Sequence, residues 1–61
     1  MRVRLTQGAR DQWGDSGPAP GSEYEVKSKF QTDEGERWYS FFASDFSIVF
    51  WANDKMVEEI D

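Results

Sequence analysis

Residues 23–52 read EYEVKSKFQTDEGERWYSFFASDFSIVFWA, and three runs within them alternate in character. In residues 23–31, Tyr24, Val26 and Phe30 fall on one parity and Glu25, Lys27 and Lys29 on the other. Ser28 interrupts the apolar side and marks a bend. In residues 37–43, Tyr39, Phe41 and Ala43 oppose Trp38, Ser40 and Phe42, and in residues 46–52, Ile48, Phe50 and Ala52 oppose Val49 and Trp51. A period of two is the signature of a strand, because successive side chains point to opposite faces. Residues 32–36 contain Gly35, which tolerates a positive φ, so they read as a hairpin tip. Ser44 and Asp45 read as a second short turn. Both faces of the middle run are aromatic. It is therefore a central strand covered on both sides, or one whose outer face binds.

Working outward, residues 1–6 alternate again, with Val3 and Leu5 opposite Arg2 and Arg4. Residues 7–22, QGARDQWGDSGPAPGS, hold four of the five glycines and both prolines, a density of breakers that predicts a long loop without regular structure. Loops of more than about 12–15 residues tend to be functional or disordered. After residue 52, Asn53 to Met56 break the pattern and suit a single helical turn, and residues 57–61 suit a short closing strand. Only residues 54–60 offer a helical alternative, and a helix that short is marginal alone. The expectation is one all-β domain over residues 1–61. It is a small, five-stranded antiparallel barrel with loop 7–22 after the first strand and a helical turn before the last. A flat meander would leave half of the aromatic rings in water.

Sixty-one residues lie near the lower limit for independent folding. The chain has no Cys and no His, so it has neither disulfide nor zinc staple. In their place stand three Trp, two Tyr and five Phe, each able to bury about 150–250 Å². Dimerisation is the remaining source of burial, so monomer and homodimer both stay open. No apolar run follows the N-terminus as in a signal peptide, and residues 48–52 are far too short to span a bilayer. With its initial Met, the chain is expected to be a complete small open reading frame, soluble and cytoplasmic, with no membrane partner.

Catalytic and metal chemistry find few candidates. Without His or Cys, nucleophilic triads and thiol chemistry are unavailable. The carboxylate pairs Asp33 with Glu36 and Glu58 with Glu59 belong to a turn tip and a terminus, and the 33–36 turn lacks calcium-loop spacing. The expectation is a non-enzyme with no catalytic residue, metal or cofactor. The net charge of −5 repels polyphosphate. It is unevenly spread: Arg2, Arg4 and Arg10 crowd the start, while eight acids follow from Asp33 onward. Arg2, Arg4, Lys27 and Lys29 make a basic stripe if the first two strands pair, which is the nucleic-acid alternative. The overall charge favours a plain solvated face instead. The acidic half also permits mimicry of a nucleic acid.

Each Trp has two readings, as core cover or as part of an exposed patch of the kind enriched at binding hot spots. Trp38, Phe42 and Trp51 share the parity opposite the expected core, which favours the patch. Trp13 is the better candidate for a loop anchor. The candidate partner-binding set is Trp38, Trp51, Trp13 and Phe42 with Asp33 and Glu36 at the rim, and loop residues Arg10, Asp11 and Asp15 alongside.

From these residues a resemblance emerges. Residues 36–39 (Glu-Arg-Trp-Tyr), the spacing of residues 51–57 (Trp-Ala-Asn-Asp-Lys-Met-Val) and the closing Val57-Glu58-Glu59-Ile60 together resemble the Src-homology-three-like small barrel over residues 22–61. The resemblance implies that fold, with a long loop after the first strand. It does not imply the family's proline-peptide specificity. Residues 1–6 lack the Ala-Leu-Tyr-Asp-Tyr stretch, and Asn53 and Met56 stand where the groove has Pro and Tyr. Trp38 alone survives of the proline-stacking residues. The basic first strand, Gly-rich loop and Glu-Tyr-Glu-Val strand are also similar to small phage and prophage barrel proteins, which implies a host protein as partner. The functional expectation is thus a protein-binding module. Nucleic-acid binding and a self-assembling structural protein are the alternatives.

Overall fold

The alternating runs form strands. The computed structural model describes residues 1–60; Asp61, expected at the end of the last strand, lies outside the described residues. Five strands, β1 (Arg2–Leu5), β2 (Glu23–Gln31), β3 (Arg37–Ala43), β4 (Ile48–Asn53) and β5 (Val57–Glu59), join one helix, α1 (Gln7–Trp13). The strands lie in the order β4-β3-β2-β1-β5, every neighbour antiparallel, and the sheet curls into a half-barrel.

The curl depends on β2, which serves two partners. Its first half pairs with β1, with Val3 opposite Tyr24 and Arg4 opposite Glu23. Its second half pairs with β3, with Ser28 opposite Ser40 and Phe30 opposite Trp38. Between them the register shifts at a bulge between Val26 and Ser28. A bulge inserts one residue, bends the strand and strengthens its twist. The bend expected at Ser28 is there, and the exchange of parity that comes with it corrects the placement of Phe30. Tyr24 and Val26 pack toward the core, whereas Phe30 emerges on the outer face, 51% exposed. The bulge is held by serines: the Ser28 N–H donates to Ser40 Oγ at 3.2 Å, and the two hydroxyls meet at 3.0 Å.

The concave side buries Val3, Leu5, Tyr39, Phe41, Ala43, Ala52 and Val57, closed by Ala9 from α1 and by Met56. Phe41 is fully buried at the centre of a run of rings. Tyr24 stacks on it at 4.7 Å between centroids, and Phe50 lies 6.0 Å away on its other side. Trp13 then covers Phe50 at 5.0 Å. Such pairs contribute about 0.5–1.5 kcal/mol each beyond the area they bury, which supports a core that has no staple.

Residues 7–22 are not structureless, which corrects the expected loop. Residues 7–13 form α1, and Gly14–Ser16 continue as a 3-10 turn. The breakers cluster after Trp13, and within α1 only Gly8 is one. Thr6 caps the helix by accepting from the Gly8 N–H at 3.2 Å. Gly14, at φ 63°, ends it and donates its N–H to the Arg10 carbonyl. The helix is anchored on the turn before β5, where Thr6 Oγ1 donates to the Lys55 carbonyl at 3.0 Å and Thr6 N–H to that of Met56 at 2.8 Å.

The β3–β4 turn is also longer than the two residues expected. It runs from Ser44 to Ser47, with Ser47 at φ 58°, and β4 begins at Ile48. The expected turn before β5 is closed by the Met56 N–H to the Asn53 carbonyl at 3.0 Å, with Asn53 Oδ1 accepting from the Lys55 N–H at 3.0 Å. No helix among the described residues is long and apolar enough to cross a membrane.

Candidate functional site

The register assigns every side chain of β2, β3 and β4 to one face of the curl. On the convex side, Phe30 is opposite Trp38 and Trp38 opposite Asn53. Ser40 is opposite Trp51, and Phe42 opposite Val49. This brings Phe30, Trp38, Phe42, Val49 and Trp51 onto one surface around the Ser28–Ser40 pair. Phe30, Phe42, Val49 and Trp51 are exposed, and Trp38 is half-buried. Phe30 and Trp51 tilt against each other at 5.3 Å between centroids, bridging over β3. No charged residue lies among these convex-face positions of β2, β3 and β4 from Ser28 to Asn53.

Acids border this platform at one end. The Trp38 indole N–H donates to Glu36 Oε1 at 2.9 Å, so Glu36 orients the ring while its carboxylate stays at the rim. Asp33 is exposed at the tip of the β2–β3 turn, whose Thr32 and Glu36 backbones bond at 2.8 Å. Of the expected binding residues, the fold thus brings together Trp38, Trp51 and Phe42, with Asp33 and Glu36 at one margin. Phe30 and Val49 join them. Val49 shares its parity with Trp51 and was legible from that. Phe30 was hidden by the bulge.

Trp13 does not belong to this surface. It lies on the concave side against Phe50 and Phe41 and over the backbone of Gly17. Its neighbours Arg10 and Asp15 form an exposed ion pair at 2.8 Å.

The four cations of the nucleic-acid alternative are likewise not one stripe. Arg2 and Arg4 do project from the convex side of β1, but cross-strand carboxylates interleave them. Arg2 is opposite Glu25, and Arg4 sits between Glu23 on β2 and Glu58 on β5. Arg4 reaches both of the latter at 3.2 Å, and those hydrogen bonds, Glu23 first, hold its guanidinium more firmly in the charged form. Two cations there face three carboxylates. Lys29, beyond the bulge, takes the concave parity opposite Tyr39, away from both arginines, and Lys27 occupies the bulge itself.

Across the mouth of the curl, the Tyr39 hydroxyl donates to Glu59 Oε2 at 2.6 Å, tying β3 to the edge strand β5. Burial first, and this bond second, push the Tyr39 hydroxyl above its ordinary pKa. The same bond, with the charges of Lys29 and Arg37, holds the Glu59 carboxyl below its usual value, partly opposed by its own desolvation. At the end of β2 and the start of β3 a depression of about 180 Å³ is lined by Lys29, Phe30, Gln31 and Arg37. No group of three or more potential metal-ligating side chains occurs among the described residues.

No protein-family model matches the chain, and no curated protein or solved structure shows significant similarity to it.

Proposed function

We propose that this chain is a non-enzymatic, cytoplasmic protein-binding module that docks through the convex platform of Phe30, Trp38, Phe42, Val49 and Trp51. The observation that carries this reading is the concentration of exposed apolar side chains on one face of a strongly charged chain. A coherent patch of aromatic residues, rimmed by polar groups, is the usual character of a docking surface. The acidic margin at Asp33 and Glu36 selects a partner with an apolar patch bordered by Lys or Arg. Complementary charge at such a rim raises the association rate more than the affinity.

The Src-homology-three-like resemblance belongs to the same proposal. It is supported by the strand order, by the long β1–β2 connection and by the single turn before β5. A phage or prophage accessory protein acting on a host protein is the corresponding biological role. The nucleic-acid alternative draws no support from Arg4, whose guanidinium is already engaged by two carboxylates.

The test is Trp51→Ser. The side chain is 45% exposed and faces away from the core, so its circular dichroism spectrum and melting should stay close to wild type. Affinity for a partner captured by the wild type should fall at least about 30-fold, as for a hot-spot residue of 2 kcal/mol or more. A variant that folds and binds the same partner undiminished sinks the proposal.

A further inference from the structure

The two edges of the sheet are unlike. The β5 edge is three residues long and carries Glu58 and Glu59. The β4 edge is six residues long, and from Phe46 to Asn53 it contains no charge and no proline. The register with β3 is unbroken over all six, so no bulge turns this edge aside. Short length, charge, proline and bulges are the devices by which monomeric sheets protect their edges. β5 has two of them and β4 has none. Alternate N–H and C=O groups of an edge strand point away from its neighbour and offer a ladder to another strand. On β4 that ladder is flanked by Val49 and Trp51 on the convex side, both about half exposed, and Ile48 is exposed at its start.

We propose that β4 pairs antiparallel with β4 of a second copy, giving a two-fold dimer with one continuous sheet of ten strands. The inference rests on the docking reading and deepens it, because edge pairing leaves the convex faces uncovered and sets the two platforms side by side. The occupant is a second copy because the strand complements itself. With Phe50 opposite Phe50 of the other copy, Val49 comes opposite Trp51, and Ile48 opposite Ala52, on both sides of the axis. An aromatic with a β-branched residue is a favourable cross-strand pair. The carboxylates that give each chain its net charge of −5 are absent from this edge, so repulsion between copies is smallest there. Association stops at two, since an isologous contact uses the open edge of each copy and leaves only the acidic β5 edges outside. A chain near the lower size limit also gains in the dimer burial that its own core does not provide.

Sedimentation equilibrium and amide hydrogen exchange test this together. Wild type is expected at twice the 7.1 kDa chain mass, with the outward-facing amides of β4 protected in proportion to concentration. Val49→Glu places a charge on the edge without touching the core; it should sediment at the single-chain mass with an unchanged circular dichroism spectrum and lose the β4 protection alone. Gln12→Ala, exposed on α1 and away from the edge, should remain dimeric. Wild type that stays at 7.1 kDa up to a concentration on the order of 1 mM overturns the inference, as does a Val49→Glu variant that still dimerises. Either result leaves the docking reading to be decided separately by the partner affinity of Phe42→Ala, an exposed platform residue on β3 rather than on the paired edge.

Discussion

Replacing Gly8 by Ala sets two physical effects against each other. In an exposed helix interior, Gly→Ala is favourable by up to about 1 kcal/mol. Here a Cβ would overlap the carbonyl oxygen of Lys55, a backbone atom in the turn before β5. To admit the methyl group, α1 must lift from that turn. Thr6 then loses its 3.0 Å bond to Lys55 and its 2.8 Å bond to Met56, at about 1 kcal/mol each. Residual overpacking adds about 1 kcal/mol or more. The net result is destabilisation by about 2 kcal/mol, despite the better helix former. For a domain this small, whose core supplies about 3–5 kcal/mol, the loss is severe. It lowers the melting temperature by on the order of 10 °C. Thermal and urea unfolding followed by far-ultraviolet circular dichroism measure it, with Gln12→Ala, exposed on the same helix, as the control expected to change little. If Gly8→Ala melts at or above wild type, propensity governs α1 and the docking against Lys55 has no energetic weight.

Two further outcomes follow from individual contacts. Tyr39→Phe removes the tie to Glu59, and its effect depends on pH. Because the Glu59 carboxyl is depressed in the fold, its contribution is present above the ordinary 4.5 and is lost as pH falls through the lower folded value. Because the Tyr39 hydroxyl is raised, its contribution is present below 10.0 and is lost as pH rises through the higher folded value. Stability plotted against pH should therefore flatten on both limbs in Tyr39→Phe, and a profile merely displaced in parallel would show that the tie carries none of the pH dependence. Ser40→Ala removes the buried hydroxyl that accepts from the Ser28 N–H at the bulge, costing about 0.5–1.5 kcal/mol. Equilibrium denaturation checks this, and an unchanged midpoint would mean that the bulge holds without it.

The strands were legible because their signal is local. Tyr39, Phe41 and Ala43 alternate with Trp38, Ser40 and Phe42, and nothing distant is needed to read that period. The same parity pointed Trp38, Phe42 and Trp51 outward, so most of the platform follows from the order of side chains alone. Phe30 escaped because one inserted residue reverses the parity of all that follows it, and Ser28 was its only trace. Helix α1 escaped for another reason. Seven residues do not hold a helix alone, and this one relies on Thr6, Lys55 and Met56, segments nearly fifty positions apart.

The sequence by itself determined the alternating strands, the aromatic core that replaces a staple and the outward parity of two tryptophans, since backbone geometry converts side-chain order directly into faces. Tertiary structure alone decided which acids meet Arg4, where β2 bends, what α1 rests on and that the uncharged β4 lies at one open edge. Each of these depends on the register between segments remote in the chain. Register is settled by packing the whole curl, where shifting a pair by one residue exchanges core for solvent.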